Sequence, residues 1–290
     1  MGRRLVACAA SGVVAGSIAA VANRRVVQAL RDNASQAADR TATASRWIRT
    51  NYAGTSVTLA EGPIAVVALL TGAGVDRLLD GSGRRSLPVA VAGLGSGLVG
   101  AYDDLYGSGH AKGFRGHLRA LRSGEVTSGM LKVLGVATSA AAAAALIQRS
   151  RSGCAKPTCK VLNGALDTAL ISASANFANL LDLRPGRAAK TIILLGSGLV
   201  GSGAAPALGA AAGSLPTDLA ARSMLGDCGA NALGAAVGAA AARALPWQLR
   251  MVAFAAFAAL NLASERVSFT AVIERTPLLR RLDQLGRRVP

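Results

Sequence analysis

The stretch "LPVAVAGLGSGLVGAYDDLYG", residues 87–107, decides how the chain is read. From Leu87 to Tyr102 no residue is charged, and then two adjacent acids, Asp103 and Asp104, close the run. A basic, glycine-rich segment, "GSGHAKGFRGHLRALRSG", follows at once. An apolar helix of this kind suits a bilayer, whose hydrocarbon core takes roughly 20 helical residues. Two like charges side by side at its end repel each other unless a cation neutralises them.

Outward from this stretch the same pattern repeats. The chain has 290 residues, 51% of them hydrophobic, a mean hydropathy of +0.39 and 16% charged residues. Soluble domains carry about 25% charge. The apolar residues form blocks of Ala, Leu, Val and Gly parted by short charged segments, which predicts an all-α, polytopic integral membrane bundle with about nine transmembrane helices. The spans fall near residues 5–22, 63–79, 87–102, 126–147 and 161–181. Two short ones within 188–221 are divided at "GSGAAP", another runs from Asp227 to about residue 242, and the last covers 247–263. The whole, residues 1–290, is one membrane domain with cytoplasmic loops 23–62 and 103–125 and a cytoplasmic tail 264–290. The first loop reads as mostly helical, and the tail as an amphipathic segment on the membrane surface.

The net charge is +17, from 32 Lys and Arg against 15 Asp and Glu. In a soluble protein this balance would suggest nucleic acid. Here the basic residues lie between apolar blocks, so anionic lipid and anionic substrates fit better. With 3% aromatic residues there is no stacking platform for a nucleic acid. Lys and Arg placement sets the orientation. Arg24, Arg25, Arg31, Arg40, Arg46 and Arg49 outweigh Arg3 and Arg4, which predicts a multi-pass cell-membrane protein whose site faces the cytoplasm. Of the cysteines, none forms a CxxC pair, so a zinc site is not expected. Cys154 and Cys159 flank one short loop and are read either as a disulfide or as two free thiols.

This topology places Asp103, Asp104, Lys112, Asn179, Asp182 and Asp227 at the cytoplasmic ends of different spans. Several carboxylates meeting at one membrane face suit Mg²⁺, which takes carboxylate oxygens together with substrate phosphates. Asp104 and Asp227 are the candidate metal ligands. Lys112 and Arg115, in the glycine-rich loop, are candidates for an anion cradle. Asn176, Asn179 and Asp182 follow at intervals of three and share one helix face. That face is read either as a substrate contact or as interhelical hydrogen bonding. Lys132, about one turn into its span, can snorkel toward the acids. Asp167 lies about 22 Å from Asp182 at helical rise and is read as structural.

These motifs, in this order, resemble those of the polyprenyl-phosphate N-acetylhexosamine-1-phosphate transferases: "DD" ending a span, a Lys-Gly in a basic loop, "NxxNLxD", then "GDxG" opening a span. The resemblance covers about residues 49–240. It implies transfer of a sugar-1-phosphate from a UDP-sugar to a polyprenyl phosphate at the cytoplasmic membrane face. UMP would be released, in synthesis of cell-envelope polysaccharide or peptidoglycan precursors. Asp103, Asp104 and Asp227 would then be catalytic, with Mg²⁺ on Asp104 and Asp227. Lys112 and Arg115 would lie near the phosphates, Asn176, Asn179 and Asp182 near the nucleotide, and Asn51 in the family's glycine-bearing loop. Two departures stand out. After Asp182 the chain reads "LRPGR" where the family carries a second Asp-Gly, and residues 265–287 hold no histidine where the family has a histidine-rich loop. A catalytically inactive relative acting as an envelope scaffold is therefore one alternative, and a transporter another. The sequence is compatible with a homodimer and does not decide it.

Overall fold

The computed structural model describes residues 2–34, 46–52, 54–107, 127–151 and 156–287. Among them are eleven α-helices and one two-stranded sheet. In chain order these are α1 (Gly2–Ala34), β1 (Ile48–Thr50), β2 (Ser56–Thr58), α2 (Glu61–Asp80), α3 (Ser86–Tyr106), α4 (Ser128–Ser150) and α5 (Pro157–Leu181). They continue as α6 (Arg187–Ser197), α7 (Ala205–Leu219), α8 (Gly226–Ala244), α9 (Trp247–Ser264), α10 (Phe269–Arg275) and α11 (Pro277–Gln284).

Helix α8 is the axis of the bundle. Every residue from Cys228 to Ala242 is buried, and helices α2, α3, α5 and α6 pack around it. Its sequence, "GDCGANALGAAVGAAAARA", is nearly all Gly and Ala, which removes side-chain bulk and lets neighbouring backbones approach. A Cβ on Gly234 would stand 2.8 Å from the Ser174 carbonyl oxygen. The same device joins α1 to α7, where a Cβ on Gly209 would meet the Gly12 carbonyl oxygen at 2.0 Å. The buried core is dominated by Ala, while Val13, Val67, Leu98, Leu194 and Leu262 point outward and are well exposed. Small residues inside and large apolar residues outside is the reverse of what water favours.

Among the described residues, three helices are long and apolar enough to cross a membrane: residues Gly2–Ala29, Glu61–Asp80 and Ser128–Ser150. Helices α9 and α10, bent by 99° at the break between them, would make a fourth as a broken pair. The segment 188–221, read as two short spans, folds into two short helices, α6 and α7, joined by a 3₁₀ turn at Val200–Ser202, and neither is among the helices long enough to cross a membrane. The turn ends on Gly203 with a φ of 106°, a conformation open to glycine.

Helix α1 runs beyond the span read at 5–22 to Ala34, so the start of loop 23–62 is helical as expected. The later part of loop 23–62 is not helical: β1 and β2 pair antiparallel, and Thr58 also bridges to Ser223. Strands of three residues give no periodic signal to read, and this hairpin is stabilised by a segment far along the chain. The tail, expected as an amphipathic segment, docks on the α5–α6 junction, where Arg187 forks onto Asp283 at 2.8 and 3.1 Å, Lys190 donates to the carbonyls of Leu282 and Asp283, and Arg184 pairs with Glu274. Burial works against the charge of Asp283, but Arg187 and Arg287 hold its carboxyl below the usual range.

Candidate functional site

The site is built on the first turn of α8. The opening N–H groups of a helix have no intrahelical acceptor, and the helix dipole favours negative charge there. Gly226, in the left-handed region with a φ of 62°, swings the chain from the α7–α8 loop into this turn. Its N–H donates to Asp182 Oδ2 at 2.7 Å. The next two N–H groups, of Asp227 and Cys228, donate to Asp104 Oδ1 and Oδ2 at 3.1 and 2.9 Å. Two acids from other helices thus satisfy one helix start.

The approach is close because glycines permit it. A Cβ on Gly100 would fall 2.2 Å from the Asp227 carbonyl oxygen, and one on Gly62 would fall 2.4 Å from that of Leu225. Asp227 turns the other way, toward Lys132, whose ammonium donates to Asp227 Oδ2 and stands 3.6 Å from Asp103 Oδ2. Asp103, Asp104, Lys132 and Asp227 are all partly buried. Burial lifts the Asp104 carboxyl to about 6, with the neighbouring charge of Asp227 adding to the rise. The two backbone N–H bonds and Lys132 oppose it. Arg49 donates to the Asp104 carbonyl, and the Arg46 guanidinium lies 5.1 Å from the Tyr106 ring, so the hairpin's approach is fastened to the end of α3.

On the other side of the Gly226 peptide is a cleft of about 400 Å³. Asn51 and Tyr52 line one wall, Arg184 and Thr270 another, and Asp182 and Asp218 are among the groups that line it as well. Asn51 holds the hairpin turn by accepting from the Thr55 N–H at 3.1 Å. Arg184 lies 4.0 Å over the Tyr52 ring. Behind the cleft, Glu61 is fully buried and accepts from the hydroxyls of Ser223 and Thr217. Burial, joined by the charges of Asp218 and Glu61, pushes the Asp182 carboxyl well above its ordinary range, against the Gly226 hydrogen bond.

The structure therefore brings together Asp103, Asp104, Asp182 and Asp227 from three segments, with Lys132 of a fourth among them as its position in the sequence suggested. Asn51 stands at the cleft beside Asp182. Asn176 is elsewhere: its amide donates to Asn261 Oδ1 at 3.2 Å, fastening α5 to α9, so the interhelical reading describes it. The Asn179 carbonyl accepts from the Asp182 N–H and ends α5. Lys112 and Arg115 lie outside the described residues. Asp167 is buried with Arg151, Arg250 and Gln148, away from the acids, in keeping with a structural role. Cys159 is disulfide-bonded, while Cys8 and Cys228 are free and buried.

Sequence reasoning passed over Glu61 and Asp218. The available signal was their setting, since an acid at the edge of an apolar run has to find protein or water to face. For Mg²⁺, the donor chemistry of Asp103, Asp104 and Asp227 fits, being hard carboxylate oxygen at a polar boundary. The Lys132 ammonium holds the shared position between Asp103 and Asp227, and a divalent ion there would replace it. Among the described residues no group of three or more His, Cys, Asp and Glu is arranged to hold a metal ion. No protein-family model matches the chain, and no curated protein matches it.

Proposed function

We propose that the protein is a multi-pass membrane enzyme of about nine spans. It transfers a sugar-1-phosphate from a UDP-sugar to a polyprenyl phosphate at the cytoplasmic face and releases UMP. The observation that carries this reading is the meeting of Asp103, Asp104, Asp182 and Asp227 around the first turn of α8, beside an open cleft. Phosphoryl transfer needs little covalent chemistry from a protein; positioning and charge neutralisation do most of the work. A lipid phosphate lies at headgroup depth, and its partner is water-soluble, so a site at the membrane boundary serves both.

In this reading Asp104 and Asp227 hold Mg²⁺, which neutralises phosphate charge when bound. Asp104 fixes the α8 turn, and Lys132 turns from the two carboxylates toward a substrate phosphate. Asp182 keeps the Gly226 peptide oriented. The disulfide at Cys159 supports the orientation, because disulfides persist in oxidising compartments. That end would then face outward and the acids inward.

The test is incubation of the purified protein with polyprenyl phosphate, Mg²⁺ and a panel of UDP-sugars. Release of UMP together with a lipid-linked product is the expected result, and no UMP from any donor would reject the assignment. A second reading has one observation in its favour. With both Asp104 oxygens on backbone N–H groups and Lys132 between Asp103 and Asp227, the cluster's carboxylates already have partners from within. That suits an inactive relative serving as a membrane scaffold.

A further inference from the structure

Glu61, Asp182 and Asp218 form a second acidic group, on the cleft side of the α8 turn. They are 0%, 6% and 2% exposed. Their charges act directly on one another. Buried carboxylates are normally matched by a cation, because an unpaired buried charge is costly. None of these three is within salt-bridge distance of a Lys or Arg among the described residues. Arg184 also lines the cleft but is paired with Glu274 and lies over the Tyr52 ring, while Lys190 and Arg287, whose charges act on Asp218 from a distance, donate to the carbonyls of Leu282, Asp283 and Pro185 and to the Asp283 carboxylate.

Hydrogen bonding leaves the same deficit. Asp218 accepts from the Gly186 N–H, yet its Oδ2 has no partner, and neither has Glu61 Oε1. Asp218 is among the residues that line the cleft, and its unsatisfied oxygen lies buried just behind that lining. The cleft's volume of about 400 Å³ is that of a small organic molecule, since ligand sites run from about 300 to 1,000 Å³. It is far more than a bare ion needs. Ser223 and Thr270 add hydroxyls, and Tyr52 supplies an aromatic wall.

We propose that this cleft binds an organic cation, a small molecule whose ammonium group sits between Asp218 and Asp182 and supplies the missing positive charge. The inference does not depend on sugar-phosphate transfer. It explains why three acids lie together with no Lys or Arg at salt-bridge distance among the described residues.

Thermal unfolding of the purified full chain in detergent tests it. The probes are glucosamine, ethanolamine and spermidine, set against N-acetylglucosamine and against KCl and MgCl₂ at matched ionic strength. At least one amine should raise the unfolding temperature in a saturable way, and N-acetylglucosamine should not. In Asp218→Asn the half-saturating concentration should rise by roughly tenfold or more. Asp182→Asn serves as the second variant should the first fail to fold. No amine response in the wild type, an equal response to KCl or MgCl₂, or an unchanged response in the variants would overturn the proposal.

Discussion

At the scale of residues, Asp104 carries the greatest structural weight in the site. It ends α3, reaches across to α8 and takes two backbone N–H groups with its two oxygens. Replacing a capping acid by alanine costs about 0.5–2 kcal/mol, and stranded donors in a protected turn push toward the upper end. Asp104→Ala should therefore lower stability by about 2 kcal/mol, read as a reduced midpoint of unfolding in detergent. Asp103→Ala should cost less, because Asp103 is the more distant partner of Lys132. The acid pair was legible in the sequence as a place that wants a cation. That its second member caps a helix was not, because the cap joins residues more than a hundred positions apart. Lys132 was legible by its depth in an apolar run. Glu61 and Asp218 were not, since each taken alone reads as an acid at a helix end.

At the scale of elements, backbone proximity orders the bundle. Gly12 and Gly16 of α1 meet Gly209 and Gly213 of α7, each set spaced by four, the arrangement that lets membrane helices touch along their backbones. Both "GVVAG" and "GAAAG" stand in the sequence, but "GLGSG" and "GAAVG" share their spacing, so the pairing itself was not readable there. Gly209→Val would force its side chain into the Gly12 carbonyl, and overpacking of this kind costs about 1–3 kcal/mol. It should lower the unfolding midpoint. Gly198→Ala, at a position with no neighbour within 4 Å, should leave the midpoint unchanged. The β-hairpin lay beyond sequence reasoning for another reason: its strands are too short to show alternation, and Met224 N–H donating to Thr58 fixes it from the far side of the chain.

At the scale of the whole molecule, the docked tail and the acidic turn belong to one end of the bundle, and the Asp167 cluster with the Cys159 disulfide to the other. The long apolar blocks made the helical class legible. The docking of the tail was hidden because its partners, Arg187 and Lys190, looked like ordinary topology-fixing charges. The folded pKa of Asp283 lies below its ordinary value, so its carboxylate stabilises the docked tail. That stability is complete above about pH 4 and is lost as pH falls through the lower folded value. Limited proteolysis should therefore release residues 269–287 more readily at pH 3 than at pH 5. Asp283→Asn should be as susceptible at pH 5 as the wild type is in acid. The central claim is that the acids around the α8 turn carry out phosphosugar transfer, and Asp227 reports on it most directly. The deciding measurement is Mg²⁺-dependent UMP release by Asp227→Asn beside the wild type, at equal amounts of folded protein. The account predicts that the wild type turns over a UDP-sugar and that the variant loses activity by a factor of about 100 or more. Equal turnover by the two would contradict it.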